Sequence, residues 1–142
     1  MSKYGFKELI VWQKSKGLAV DIYKLTGAGR ITRDFSLVDQ IRRSAVSVPS
    51  NIAGGDERGS DRESIRFFYI SKGSLAELIT QLEIAKDVGH LNASEVEPLS
   101  GRCAEIGRLL GAVIKARGRF GLKLSMLIAG VAFGATFVFA LH

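Results

Sequence analysis

Three observations place this chain among all-α proteins. Apolar residues recur in steps of three and four along most of its length, strand-type alternation is almost absent, and capping residues and glycines punctuate the periodic stretches. Four such stretches joined by short connections predict an antiparallel up-down-up-down four-helix bundle over residues 1–118. A hydrophobic helical extension follows over residues 119–142. With 142 residues, the chain is long enough to hold a core without covalent staples.

The first helix is predicted from about Phe6 to Leu25, with Leu9, Trp12, Ala19, Ile22 and Tyr23 on one face. Lys16 interrupts that face, its stem expected along the core and its ammonium in water. Gly27-Ala28-Gly29 ends the helix, because glycine tolerates the left-handed backbone that closes helices. The second starts near Asp34 or Ser36, whose side chains can accept backbone N–H bonds. Leu37, Ile41, Ala45, Val48 and Ile52 form its buried stripe, and Gly54-Gly55 is expected to stop it. Pro49 lies inside that stripe and removes one backbone donor, which predicts a kink over 45–49.

Ser60 and Glu63 form a capping box for the third helix. Phe68, Ser71, Leu75, Leu78, Leu82 and Ala85 give it a regular packing seam, closed at Asp87-Val88-Gly89-His90. The fourth helix starts near Asn92 or Ser94. Ser94 and Glu97 make a second capping box, and Pro98 lies near the first turn, where proline is tolerated. Leu99, Cys103, Ile106, Leu110 and Val113 repeat the seam.

Composition excludes several classes of function. The lone Cys103 rules out an internal disulfide, and no Cys/His zinc cluster is present. A reducing compartment fits the single thiol, and the first residues, with Lys14 and Lys16 preceding any long apolar run, are unlike a secretory signal. Of two histidines, His90 stands in a connection and His142 is terminal. Glu83 is followed three residues later by Lys86, so the Glu-x-x-His pattern of di-metal bundles is missing. A non-enzymatic cytoplasmic protein without cofactor or metal is expected.

The net charge of +6 is unevenly spread. Residues 1–50 carry nine Lys/Arg against four Asp/Glu, residues 51–100 five against nine, and residues 101–142 six against one. Such a chain can pair its own helices, pair subunits, or turn its basic ends to phosphates. At the C-terminus, Leu124 to Leu141 contain no charged side chain. Eighteen helical residues reach about 27 Å, close to the roughly 30 Å hydrocarbon core of a bilayer. Arg117, Arg119 and Lys123 precede this segment, so a span would leave the bundle in the cytoplasm, anchored to the inner membrane. Gly130 and Gly134 would allow close helix contact in lipid, and the alternative is a helix packed on the bundle or within an oligomer.

Tyr4, Phe6, Trp12, Phe67 and Tyr69 cannot all point inward beside the aliphatic stripes. Phe67-Phe68-Tyr69-Ile70 alone covers most of a helix circumference. A helix apolar on more than one face needs a second partner, which predicts a homo-oligomer.

Phe6-Lys7-Glu8-Leu9-Ile10-Val11-Trp12-Gln13-Lys14 resembles the opening of the bacterial four helix bundle protein family, which includes the ribosomal-RNA intervening-sequence proteins. Gln40 to Ala53, reading QIRRSAVSVPSNIA, is similar to that family's central signature, and Gly73 to Leu78 and Gln81 to Ala85 continue the match in order. The resemblance spans residues 4–118. It implies a left-handed antiparallel bundle assembled as a ring-like homopentamer, and a link to RNA without a general activity. It also marks Trp12, Gln40, Ser47, Pro49, Asn51, Ser74 and Glu77 as signature positions of structural role. The chain departs from the family at Gly54, where an acidic residue is usual; Asp56 or Glu57 could stand in for it.

Lys14, Lys16, Arg33, Arg42 and Arg43 are the candidate surface cations, for RNA phosphates or for an acidic 56–63 loop on another subunit. Arg42 and Arg43 are adjacent and point about 100° apart, which argues against one shared ligand. Ser47, Ser50 and Asn51 are expected to satisfy carbonyls that Pro49 leaves unbonded, or to cap the helix end. Glu77 and Glu83 form no metal pair, and Cys103 reads as a packing residue.

Overall fold

The computed structural model describes residues 3–139, with side chains except at 121 and 131–139. These residues form four α-helices: α1 (Ile10–Thr26), α2 (Phe35–Asp56), α3 (Asp61–Asp87) and α4 (Ala93–Phe139). Contacts between neighbouring helices run antiparallel. Along α2 and α3, Gly55 O accepts from Ser64 Oγ at 2.6 Å, Val48 O accepts from Ser71 Oγ at 2.9 Å, and the Ser47 and Ser74 hydroxyls meet at 2.8 Å. Along α3 and α4, a methyl placed at Gly118, Gly111 or Gly107 would sit 3.9 Å from Ile65, Lys72 or Leu75. Between α1 and α4, Lys14 pairs with Glu105 at 3.0 Å and Arg102 with Asp21 at 2.6 Å. The core between the helices holds Leu18, Ile22, Ile41, Ile52, Phe68, Leu78, Leu82, Ile106 and Leu110.

Several elements differ from the sequence reading in their bounds, faces or caps. Phe6–Glu8 is a separate 3-10 turn, with Leu9 extended between it and α1. The inner face of α1 is Val11, Ser15, Leu18, Ala19 and Ile22, while Tyr23 and Lys16 face out. Lys16 therefore does not cross the core; its ammonium lies 5.4 Å from the Trp12 ring centroid. At the start of α4, Asn92 rather than Ser94 makes the box. Its Oδ1 accepts from Glu95 N–H, and Glu95 Oε2 accepts from Asn92 N–H, both at 2.9 Å.

Gly54-Gly55 does not stop α2, which continues through both to Asp56. The reason is packing. A Cβ at Gly55 would come within 2.9 Å of Phe67 Cβ and of Phe68 Cε1, so glycine is there to let α3 approach. At Gly54 the same atom would meet the Phe67 ring at an ordinary 3.7 Å. Gly55→Ala is thus expected to cost about 1–3 kcal/mol by overpacking. Gly54→Ala should stabilise by about 0.4–1 kcal/mol, because only the unfolded chain loses freedom. Urea denaturation of the two variants separates them by sign.

Helix α4 passes residue 118 without a break. From residue 118 onward its described side chains are all exposed, Phe120, Leu122, Leu124, Met126, Leu127 and Ile128 among them. Among the described residues no helix is long and apolar enough to cross a membrane. The expected span 124–141 extends beyond them.

Candidate functional site

The first turn of α2 is set by Asp34, whose Oδ1 accepts the Leu37 N–H at 3.1 Å. That bond holds the Asp34 carboxyl below its usual pKa, and His90 Nε2 at 3.1 Å from Oδ2 adds to it. The cap aims α2 so that its outer face meets the end of α1. Between them lies a cleft of about 640 Å³, lined by Tyr23 of α1 and, on α2, by Phe35, Asp39, Arg42 and Arg43 with Val38, Val46 and Ser47. Phe35 is 82% exposed, an unusual position for a phenyl ring.

The two arginines enter this cleft differently. Arg42 is anchored: Nε donates to Thr26 Oγ1 at 2.8 Å, Nη2 donates to Tyr23 O at 3.5 Å, and the guanidinium stacks 4.5 Å from the Tyr23 ring centroid. Arg43 lies in the open, donating to Asp39 Oδ2 at 2.8 Å one turn earlier. Adjacent helical positions diverge, yet the cleft is wide enough that both line it.

The other candidate cations are spread. Lys14 is engaged with Glu105, Lys16 caps the Trp12 ring, and the exposed Arg33 ends the 3-10 turn Arg30–Arg33 just before Phe35. No continuous stripe joins all five.

Signature positions divide between inside and outside. Trp12 is half-buried, edge-on to Phe6 at 5.2 Å between centroids, and Pro49 is buried. Asn51 Nδ2 donates to Ser47 O at 2.9 Å and to Ser47 Oγ at 3.0 Å, while Ser47 meets Ser74. Asn51 therefore bonds to Ser47 within α2, and Ser47 bonds across to Ser74 on α3. The carbonyl that Pro49 deprives in helical bonding is that of Ala45, four residues back, and none of these bonds goes to it. Gln40 and Glu77 are exposed.

Asp56 is fully buried and accepts from Arg117 Nη2, with the guanidinium 5.1 Å from the Phe68 ring centroid. An acidic 56–63 loop offered to another subunit therefore lacks its first carboxylate, which belongs to the interior. A signal for this pair was present. Asp56 occupies the next position of the stripe Val48–Ile52, and Arg117 the next of Ile106–Leu110–Val113.

Burial pushes the Cys103 thiol up to about 11. Its thiolate is scarce at neutral pH, so alkylation or disulfide exchange of the folded protein should run about a hundredfold or more slower than in denaturant. An Ellman titration of native and unfolded protein checks this. Among the described residues no group of three or more His, Cys, Asp or Glu could hold a metal ion.

The described residues thus form an all-α bundle with polar contacts between its helices and a cleft on its outside where Arg42 and Arg43 meet Tyr23 and Phe35. Residues 7–112 match the family of 23S rRNA-intervening sequence proteins, and the chain belongs to that family. Among solved structures it is similar to a protein of unknown function from the S23 ribosomal protein family of Bacteroides thetaiotaomicron. Identity is 27% and the TM-score 0.69, over 75% of this chain and 99% of that one. No curated protein matches.

Proposed function

We propose that the protein is a non-enzymatic, self-associating bundle that binds a polyanion, RNA by preference, through the cleft between α1 and α2. The observation that carries this reading is the pairing in one cleft of an exposed ring, Phe35, with two guanidiniums, one held in place on Tyr23. Unpaired bases stack on aromatic faces and on guanidinium planes, and phosphates take the remaining N–H donors. Self-association is supported by Tyr69 and Ile70, apolar side chains exposed on the outer face of α3. The ring-like pentamer implied by the family resemblance is the assembly to look for.

Filter binding of single-stranded RNA over a salt series tests the cleft. With two arginines as the main phosphate contacts, the log–log slope should be about −1 to −2. Arg42→Ala/Arg43→Ala should abolish retention, and Phe35→Ala should weaken it by about 1–3 kcal/mol, the range for one stacked base. Absence of retention at the lowest salt defeats the RNA reading. Sedimentation as a monomer at micromolar concentration defeats self-association.

A further inference from the structure

The cleft leaves one part of the molecule without a role. After Glu105 the sequence contains no Asp or Glu, but it does contain Arg108, Lys115, Arg117, Arg119 and Lys123. Arg117 turns inward to Asp56. Lys115, Arg119 and Lys123 are exposed, spaced by four, and so lie along one side of α4 over about 12 Å. Beyond them the described side chains are uncharged and, Ser125 apart, apolar. Leu124, Met126, Leu127 and Ile128 point in different directions about the axis, and each is about half exposed or more. Among the described residues no other helix covers them, since the α2–α3 turn ends at the level where α4 leaves the bundle.

A rod apolar on every side is a poor solute in water, and its occupant must supply an apolar medium and negative charge together. We propose that the projecting part of α4 docks the protein on an anionic lipid bilayer. In this arrangement Lys115, Arg119 and Lys123 lie among the headgroups and the rod beyond Lys123 enters the hydrocarbon from that face. The helix is described through Phe139, about 24 Å beyond Leu124, which is depth enough to reach well into the hydrocarbon. A second copy's arm fits less well: parallel arms would set three cations against three like cations, with no acid after Glu105 to offset them. RNA would answer the cations and leave the rod in water.

Flotation of the full chain with vesicles tests the assignment. The protein should float more completely with phosphatidylcholine vesicles containing phosphatidylglycerol than with phosphatidylcholine alone, and salt should narrow that difference. Lys115→Glu/Arg119→Glu/Lys123→Glu should lower vesicle affinity about a hundredfold or more. Leu124→Ser/Leu127→Ser/Ile128→Ser should also prevent flotation. Both variants alter exposed positions, so their helical circular dichroism and their RNA retention should match the parent, which keeps this result separate from the cleft's. Equal flotation with neutral vesicles, or none with anionic ones, overturns the proposal. So does a fall in particle mass in the charge-reversal variant without lipid, which would assign the arm to another copy.

Discussion

Arg117→Met is expected to lower the stability of the fold by about 3–5 kcal/mol, the range for withdrawing one partner from a buried ion pair. Asp56 has no exposed surface and Arg117 is only 15% exposed, so water cannot replace the guanidinium that is lost. The pair also joins distant parts of the chain, the last turn of α2 and the point where α4 leaves the bundle. Arg119→Met, two residues on and exposed, should change stability by no more than about 0.5 kcal/mol. The double replacement Asp56→Leu/Arg117→Met should recover much of the loss, because removing both charges removes the desolvation cost as well. Urea denaturation followed by circular dichroism measures all three. Equal stability of the Arg117 and Arg119 variants would show that the buried pair contributes nothing.

Phe68→Ala should cost a similar amount, about 3–5 kcal/mol. Its ring is fully buried, fills the space that Gly55 leaves open on α2, and carries the Arg117 guanidinium on its face. Truncation therefore opens a cavity and removes the floor beneath the ion pair. The two losses share that floor, so Phe68→Ala/Arg117→Met should fall short of the sum of the single variants by about 0.5–3 kcal/mol. A double-mutant cycle in urea gives the coupling directly; strict additivity would mean that ring and guanidinium are independent.

Much of the architecture was legible because helices announce themselves locally. The seam from Phe68 to Ala85, the Ser60 cap on Glu63 N–H and the break at Gly27 all depend on neighbours a few residues away. Gly54-Gly55 misled for the opposite reason. Whether a glycine ends a helix or admits a neighbour depends on what packs against it, and Phe67 and Phe68 lie on another helix. The candidate cations show the same limit. Arg42 and Arg43 could be named from the sequence, but Tyr23 and Phe35 could not, since no periodic rule places the end of one helix beside the start of the next.

By itself, then, the amino-acid order determined the all-α class, the principal helices and most of the inner stripes, because backbone hydrogen bonding and amphipathic period act over three to four residues. Only the tertiary structure decided which charges are spent. It turned Asp56 and Arg117 inward on each other, set Lys14 against Glu105, and left Lys115, Arg119 and Lys123 at the surface. A charge is committed by the partner that comes within a few ångströms of it, and for Asp56 and Lys14 that partner lies tens of residues away along the chain.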